Sequence, residues 1–477
     1  MIGLKKKYGP EDPLPQIVLP ARRGPQIHSG GKGGKGFLKV QVEGAPTTTR
    51  QAEVLNTALI GSPDSQEGVL IGTDDISGAI VTHDPFTAYA ASTITSPNVC
   101  VVGMVGSGKS SLLKTVYVER PLLLLGRQAV VVDKKMRGDE GEYAELTREY
   151  GADPFRFDPD AVGDNEVTCM NPLDPIILAG GGSAAARQLL AAIAQLSGTE
   201  GQGDLNEWHH AALDEMYRML RAEFEHKNRV PVIPDLLSYA ASVVGSDKFK
   251  GARNATLDLI EQAAWSLRFR FERLLADDLQ GMFDRETSKH VKLHPKLTTF
   301  DISALPEDGP STSMVMVVAN AWLMGMLTKQ RDKGMRTNFV VEEGWHLITG
   351  PGGKIMRSKT KLSRGLGLSV ITAIHHISDI PDGSDAIAMI KEAQTLHLFR
   401  QEHDDDITDC IRHFNLEPSN AHALSTLNPG THLLKVGANR ELQVTADRTA
   451  REIAFTETDA AMIRKPTATD AEVLDAA

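Results

Sequence analysis

The sequence predicts an α/β fold built on a mostly parallel sheet, and three observations carry that prediction. Apolar runs of strand length, Asn98 to Val102 and Ala129 to Val132, alternate with helix-patterned segments, as parallel strands joined by crossover helices require. The first of these runs ends at a glycine-rich loop that opens onto a helical pattern from Ser110. Strand patterns then return after a long helical interval, at Leu297 to Ile302, Asn338 to Val341, Leu368 to Ile374 and Thr395 to Phe399, so a single sheet is split by an insertion.

Taken in chain order, residues 1–36 carry LPQIVLPARRGPQ and SGGKGGKG, whose Pro, Gly and Lys content predicts a flexible arm. Within 37–95, FLKVQVEG, GVLIGTD and GAIVTHD read as short strands between Gly and Asp turns, a small N-terminal β element in front of the core. Residues 96–182 form the first part of the core, with a third short strand near Pro154 to Phe157. From 183 to 295 the pattern is helical throughout, as in AAARQLLAAIAQL and NEWHHAALDEMYRMLRAEFEH, which predicts an all-helical insert. In that insert Trp208, His209 and His210 read as a partly buried aromatic helix, since adjacent histidines do not share a helix face to bind metal. Residues 296–455 complete the core and add strands in GTHLLKVG, RELQVTAD and REIAFTE, and 456–477 read as a tail. Met314 to Leu327, MVMVVANAWLMGML, falls short of the ~20 apolar residues a membrane span needs and predicts a buried helix.

Composition narrows the functional classes. With 477 residues and 41% apolar content the chain can build full-sized cores. A net charge of −11 argues against a protein that coats nucleic acid, so any such contact is expected to be local. The three cysteines, Cys100, Cys169 and Cys410, are distant and odd in number, which suggests neither a disulfide framework nor a thiolate cluster and fits a reducing cytoplasm. The basic start MIGLKKKYGPEDPLP is followed by no long apolar stretch and does not read as a secretory signal.

The glycine-rich loop matches G-x-x-x-x-G-K-[ST] through Gly103, Gly108, Lys109 and Ser110, in the strand-to-helix setting that phosphate binding demands. Gly103, Gly106 and Gly108 let the backbone curl so that N–H groups, including that of Ser107, face phosphate oxygens, and the helix adds its positive end. Lys109 is placed to neutralise the β- and γ-phosphates of ATP, and Ser110 to ligate Mg²⁺. Ser111 has two readings, a helix cap or a contact to the α-phosphate. Such a site needs an acid at the end of a neighbouring strand, and Asn338-Phe-Val-Val-Glu-Glu343 supplies two. Glu342 is expected on the metal and Glu343 on the attacking water. Asp133 is a rival metal-side acid, with a salt bridge to Lys134 or Lys135 as its structural alternative.

The ordered set GMVGSGKSSLLKT, VVVDKKMRGDEGEYAEL, NPLD, FVVEEGWHLI and SRGLGLSVITAIHHISDI resembles the HerA/FtsK superfamily of motor ATPases, over about residues 70 to 455. Within it the likeness is to the VirB/TraC-type ATPases of conjugative type IV secretion. The resemblance implies a RecA-like P-loop core, Mg²⁺-dependent ATP hydrolysis, and a hexameric ring with nucleotide between subunits. It implies channel proteins at the inner membrane face as partners, with DNA as a further one, and a cytoplasmic location reached by the membrane only through partners. The family's polar sensor, commonly Gln, falls here on His375 and His376, either of which is a phosphate donor or part of an exposed turn. Arg364 and Arg400 are the candidates for an arginine that reaches across the subunit interface. Asp139, Glu142 and Tyr143 match the family's acidic-aromatic segment, although DEGEYAEL also reads as a solvated helix start, the reading preferred here.

Overall fold

The computed structural model describes residues 67–161, 167–198, 204–276, 279–306, 310–331, 334–342, 365–378, 380, 384–439 and 441–456. The expected arm (1–36), the segment 37–66 with FLKVQVEG, Glu343, Arg364 and all but the first residue of the tail lie outside them.

The strands are β1 (Val69–Asp74), β2 (Ile80–His83), β3 (Val99–Val102), β4 (Gln128–Asp133), β5 (Met136–Arg137), β6 (Glu140–Gly141), β7 (Phe155–Arg156), β8 (Leu297–Asp301), β9 (Thr337–Val341), β10 (Leu368–Ile374), β11 (Thr395–Leu398), β12 (Thr431–Val436) and β13 (Leu442–Ala446). Apart from the small β5–β6 hairpin they form one sheet in the order β2-β1-β13-β12-β11-β3-β10-β9-β4-β8-β7. The seven strands from β11 to β7 are parallel to one another, and the pairings from β11–β12 out to β2 are antiparallel. The fold is therefore α/β on a large, mostly parallel sheet.

Both faces of the parallel part are covered, which is why its strands read as unbroken apolar runs. Side chains alternate across it. Cys100, Val102, Val130, Val132, Phe339 and Val341 enter one core, which they share with the helices Gly182–Leu196, Glu207–Phe224, Asn254–Glu272 and Ser311–Gln330. Val99, Val101, Ala129, Val131 and Val340 enter a second core beneath the helical run that begins at Lys109. No strand interrupts the described residues between Gly182 and His294, so the insert is helical, and it packs on one face of the sheet. There His209 bonds back to Asn206 as part of a capping box at the helix start.

Ser311–Gln330 is apolar on every side. By length and composition it qualifies as a membrane span, but 83% of its most apolar window is buried inside the protein. Gly325 lets it approach the Pro175–Ala179 helix, since a Cβ there would sit 2.0 Å from the Ile176 carbonyl oxygen.

Two segments differ from the sequence expectation. β1 and β2 do not stand apart in front of the core; they extend its sheet, β1 pairing on β13, about 370 residues away, and β2 pairing on β1. REIAFTE is a helix, Ala450–Thr456, because Thr449 and Glu452 form a T-x-x-E capping box: Glu452 N–H donates to Thr449 Oγ1 (3.2 Å) and Thr449 N–H donates to Glu452 Oε2 (2.7 Å).

Three histidines lie in the interior of the sheet. His397 is fully buried with its ring 4.8 Å from that of His432, Tyr117 Oη lies 2.6 Å from His397 Nε2, and His83 Nε2 is 2.9 Å from Thr395 Oγ1. Neither ring nitrogen of His432 has a hydrogen-bond partner among the described residues. Burial holds His432 down to about 3 and His83 down to about 4, and burial followed by the neighbouring histidines holds His397 well below the usual range. All three are neutral in the folded protein at neutral pH and titrate near 6.5 when unfolded. Their stabilising contribution is complete above pH 6.5 and is lost as pH falls towards 4, by about 1.4 kcal/mol per pH unit for each ring. Denaturant titrations between pH 6.5 and 5 should show His432→Leu reducing the slope of stability against pH by about one such increment.

Candidate phosphate and metal site

The parallel strands end together. β3 pairs with β10 and β11 so that Val102 aligns with Ile374 and with Leu398, while β9 pairs with β4 so that Val341 aligns with Val132. The residues that follow these ends, Gly103, His375, Phe399, Glu342 and Asp133, thus share the carboxyl edge of the sheet, where open α/β sheets bind ligands.

The glycine loop is tied into that edge. Gly103 N–H donates to Ile374 O (3.3 Å), Met104 N–H to Arg400 O (3.2 Å), and Gly430 N–H to Ser107 O (2.9 Å). Gly106 and Gly108 adopt φ of 75° and 109°, a region that favours glycine. At Gly103 the constraint is steric, because a Cβ would lie 2.5 Å from that of Phe399. Ser107 turns its hydroxyl back onto Met104 O at 2.7 Å.

Lys109 is buried, with Nζ on the carbonyls of Gly103 and Met104 (2.8 Å to the latter) and 3.1 Å from His375 Nδ1. Ser110 Oγ donates to Glu342 Oε2 at 3.1 Å. The other oxygen of Glu342 accepts from Tyr143 Oη at 2.7 Å, and Lys135 Nζ stands 3.3 Å from Oε2. Burial alone would raise the pKa of Glu342, but Lys135, then Lys114, then the hydroxyls of Tyr143 and Ser110 outweigh it and hold the carboxyl below its usual range. Glu342 is therefore a buried, ionised acid aimed at the loop serine.

Asp133 behaves in the opposite way. Burial first, then Glu342 and Asp301, push it well above the carboxylate range, against the Tyr143 N–H bond and Lys114. Its oxygens accept from the backbone N–H groups of Tyr143 (2.8 Å) and Lys135 (3.3 Å). Lys134 donates to Leu305 O and Lys135 to Ser110 Oγ, at 2.7 and 2.9 Å. Asp133 thus fixes the backbone that carries Lys135 and Tyr143.

The acidic-aromatic segment is solvated at Asp139 but buried at Glu142 and Tyr143. Tyr143 is fully enclosed, and Glu142 pairs with Lys114 at 2.8 Å, while the Lys114 ammonium lies 5.1 Å from the Tyr143 ring centre. Lys114 belongs to a π-helical turn, Leu113–Glu119, whose Tyr117 carbonyl is capped by Asn338 Nδ2 at 2.8 Å.

His375 and His376 part company. His375 faces Lys109, whereas His376 Nδ1 is 2.7 Å from Asp406 Oδ2, and Ser378 donates through Oγ to Asp406 Oδ1 at 2.8 Å. Arg400 is exposed after β11. Arg448 was not expected from the sequence; it reaches Ser111 Oγ at 3.4 Å and Thr456 Oγ1 at 2.9 Å. No motif marks Arg448, since only the return of β13 to the loop brings it there. Tyr143 and Lys135 lie in the stretch VVVDKKMRGDEGEYAEL that the sequence marks, but their contacts to Glu342 and Ser110 come only with the fold.

The donor pair of Ser110 and Glu342, a hydroxyl and an ionised carboxylate, consists of hard oxygens and suits Mg²⁺. Among the described residues no cluster of three or more His, Cys, Asp or Glu is arranged to hold a metal. A Mg²⁺ here would draw its other ligands from phosphate and water.

No protein-family model matches the chain, and no curated protein matches it in sequence at a significant level. Solved structures do match. VirB4 of Thermoanaerobacter pseudethanolicus superposes with a TM-score of 0.66 at 17% identity, over 82% of this chain and 99% of that one. The bacterial conjugative coupling protein TrwBΔN70, in its unbound monoclinic form, superposes with a TM-score of 0.50 at 14% identity, over 81% and 90%. The structural neighbours are thus VirB4 and TrwB, and the fold is the RecA-like P-loop ATPase fold that they share.

Proposed function

We propose that the chain is a Mg²⁺-dependent ATPase that powers a conjugative, type IV secretion-type transfer apparatus. The observation that carries this reading is the convergence of Lys109, Ser110 and an ionised Glu342 at the carboxyl edge of a sheet whose fold is that of VirB4. Fold alone does not fix function, so the weight rests on the site.

Each residue has a task in phosphoryl transfer. The glycine loop and Lys109 hold the β- and γ-phosphates of ATP, with Lys109 exchanging its carbonyl partners for phosphate oxygens. Ser110 and Glu342 would hold Mg²⁺, which when bound neutralises charge on the transferred group. Tyr143 and Lys135 keep Glu342 aimed at Ser110. His375, beside Lys109, is the sensor nearest the γ-phosphate, and His376 on Asp406 belongs to the adjoining turn. Glu343 polarises the attacking water. In a ring of six copies, Arg364 or Arg400 of one subunit would reach the phosphates of the next. The location in this reading is the cytoplasmic side of the membrane, reached through channel proteins.

A second reading, a DNA translocase, draws on the likeness to a conjugative coupling protein. Hydrolysis measured with and without DNA separates the two. A secretion-type ATPase should turn ATP over at a rate little changed by DNA, whereas severalfold stimulation by DNA would favour the translocase.

A further inference from the structure

Lys135 occupies the place that a metal ion would take. Its ammonium is 2.9 Å from Ser110 Oγ and 3.3 Å from Glu342 Oε2, and those two oxygens are 3.1 Å apart, so three atoms close a small triangle. The backbone of Lys135 is anchored at both ends of its residue, with N–H on Asp133 Oδ1 (3.3 Å) and C=O accepting from Glu142 N–H (3.0 Å). The side chain, 29% exposed, is the part that can move.

We propose that Lys135 is an internal counter-cation that holds the metal position while nucleotide is absent and must vacate it for the metal to enter. The proposal rests on the reading of Ser110 and Glu342 as the metal side of an ATP site. Lys135 lends the Glu342 carboxylate a positive charge on a flexible stem, one that a bound ion can displace. A divalent ion at the same two oxygens would meet that ammonium at close range and be repelled. It would also compete for the Ser110 lone pair to which Lys135 donates. Triphosphate changes the balance, because its oxygens offer the displaced ammonium a new partner and supply negative charge for both cations. The metal therefore enters with the nucleotide rather than ahead of it.

The test uses Mn²⁺ as a paramagnetic probe, titrated into the full chain without nucleotide and followed by electron paramagnetic resonance. Lys135→Met, with Lys135→Gln as a second neutral variant, should bind one Mn²⁺ at least tenfold more tightly than wild type, whereas Lys135→Arg should not. Adding Glu342→Gln to the Met variant should abolish the gain. Equal Mn²⁺ affinity in wild type and both folded neutral variants would overturn the proposal, as would a gain that survives Glu342→Gln. Failure of the ATP reading shows separately, as no binding of labelled ATP to wild type in the presence of Mg²⁺.

Discussion

Glu342→Gln is expected to lower kcat for ATP hydrolysis by about 10²- to 10³-fold, the scale set by removing one preorganised electrostatic contact in an active site, while ATP itself is still bound. The amide keeps the shape of the carboxyl and can still accept from Tyr143, so packing is preserved. What disappears is the negative charge that faces Ser110 and balances Lys135 and Lys114. Steady-state hydrolysis together with fluorescent-nucleotide binding measures both quantities. The variant should also need more Mg²⁺ for half-maximal rate. A kcat within threefold of wild type would remove Glu342 from the metal side of the site and leave its ionised state without a functional role.

The second large effect concerns stability. Lys114 and Glu142 form a buried ion pair at 2.8 Å, with side-chain exposures of 1% and 7%, between the helical run after the loop and the segment that carries Tyr143. Removing either partner leaves a charge without its counter-ion in the interior, which costs about 3–5 kcal/mol. Glu142→Ala should therefore unfold at markedly lower urea. Replacing both residues by apolar ones of similar size, Lys114→Met with Glu142→Leu, should recover most of that loss, since such exchanges are often neutral. The double variant should still hydrolyse ATP more slowly, because Lys114 also helps to keep Glu342 ionised. If Glu142→Ala were as stable as wild type, the pair would be contributing nothing and its closeness to Glu342 would be incidental.

Much of this architecture was legible in the sequence because it is local. VCVV, AVVV and FVV read as strands since both their faces are buried, and the loop from Gly103 to Ser110 carries its own spacing. The helical insert and the buried helix around Met314 to Leu327 were legible for the same reason. What was misread depended on distant partners. β1 and β2 find their place only through β13, and REIAFTE alternates like a strand although Thr449 and Glu452 cap it as a helix. DEGEYAEL resembled a solvated helix start, as its exposed Asp139 and Glu145 are, but Glu142 is drawn inward by Lys114 and the Tyr143 backbone by Asp133, neither visible from composition. At the site, the strand ends brought Lys109, Ser110, Glu342 and His375 together, while His376 turned to Asp406. The parts played by Tyr143 and Lys135 needed the fold, since they act across the sheet from the loop.

The most direct measurement is steady-state ATP hydrolysis by the purified chain in Mg²⁺, compared with Lys109→Ala. The buried ammonium of Lys109 already stands inside the loop, on carbonyls that phosphate would replace. Wild type should turn ATP over, and the variant should lose at least about 100-fold in rate together with most of its nucleotide affinity. A wild-type rate no greater than that of Lys109→Ala, in protein that still binds ATP, would contradict the account.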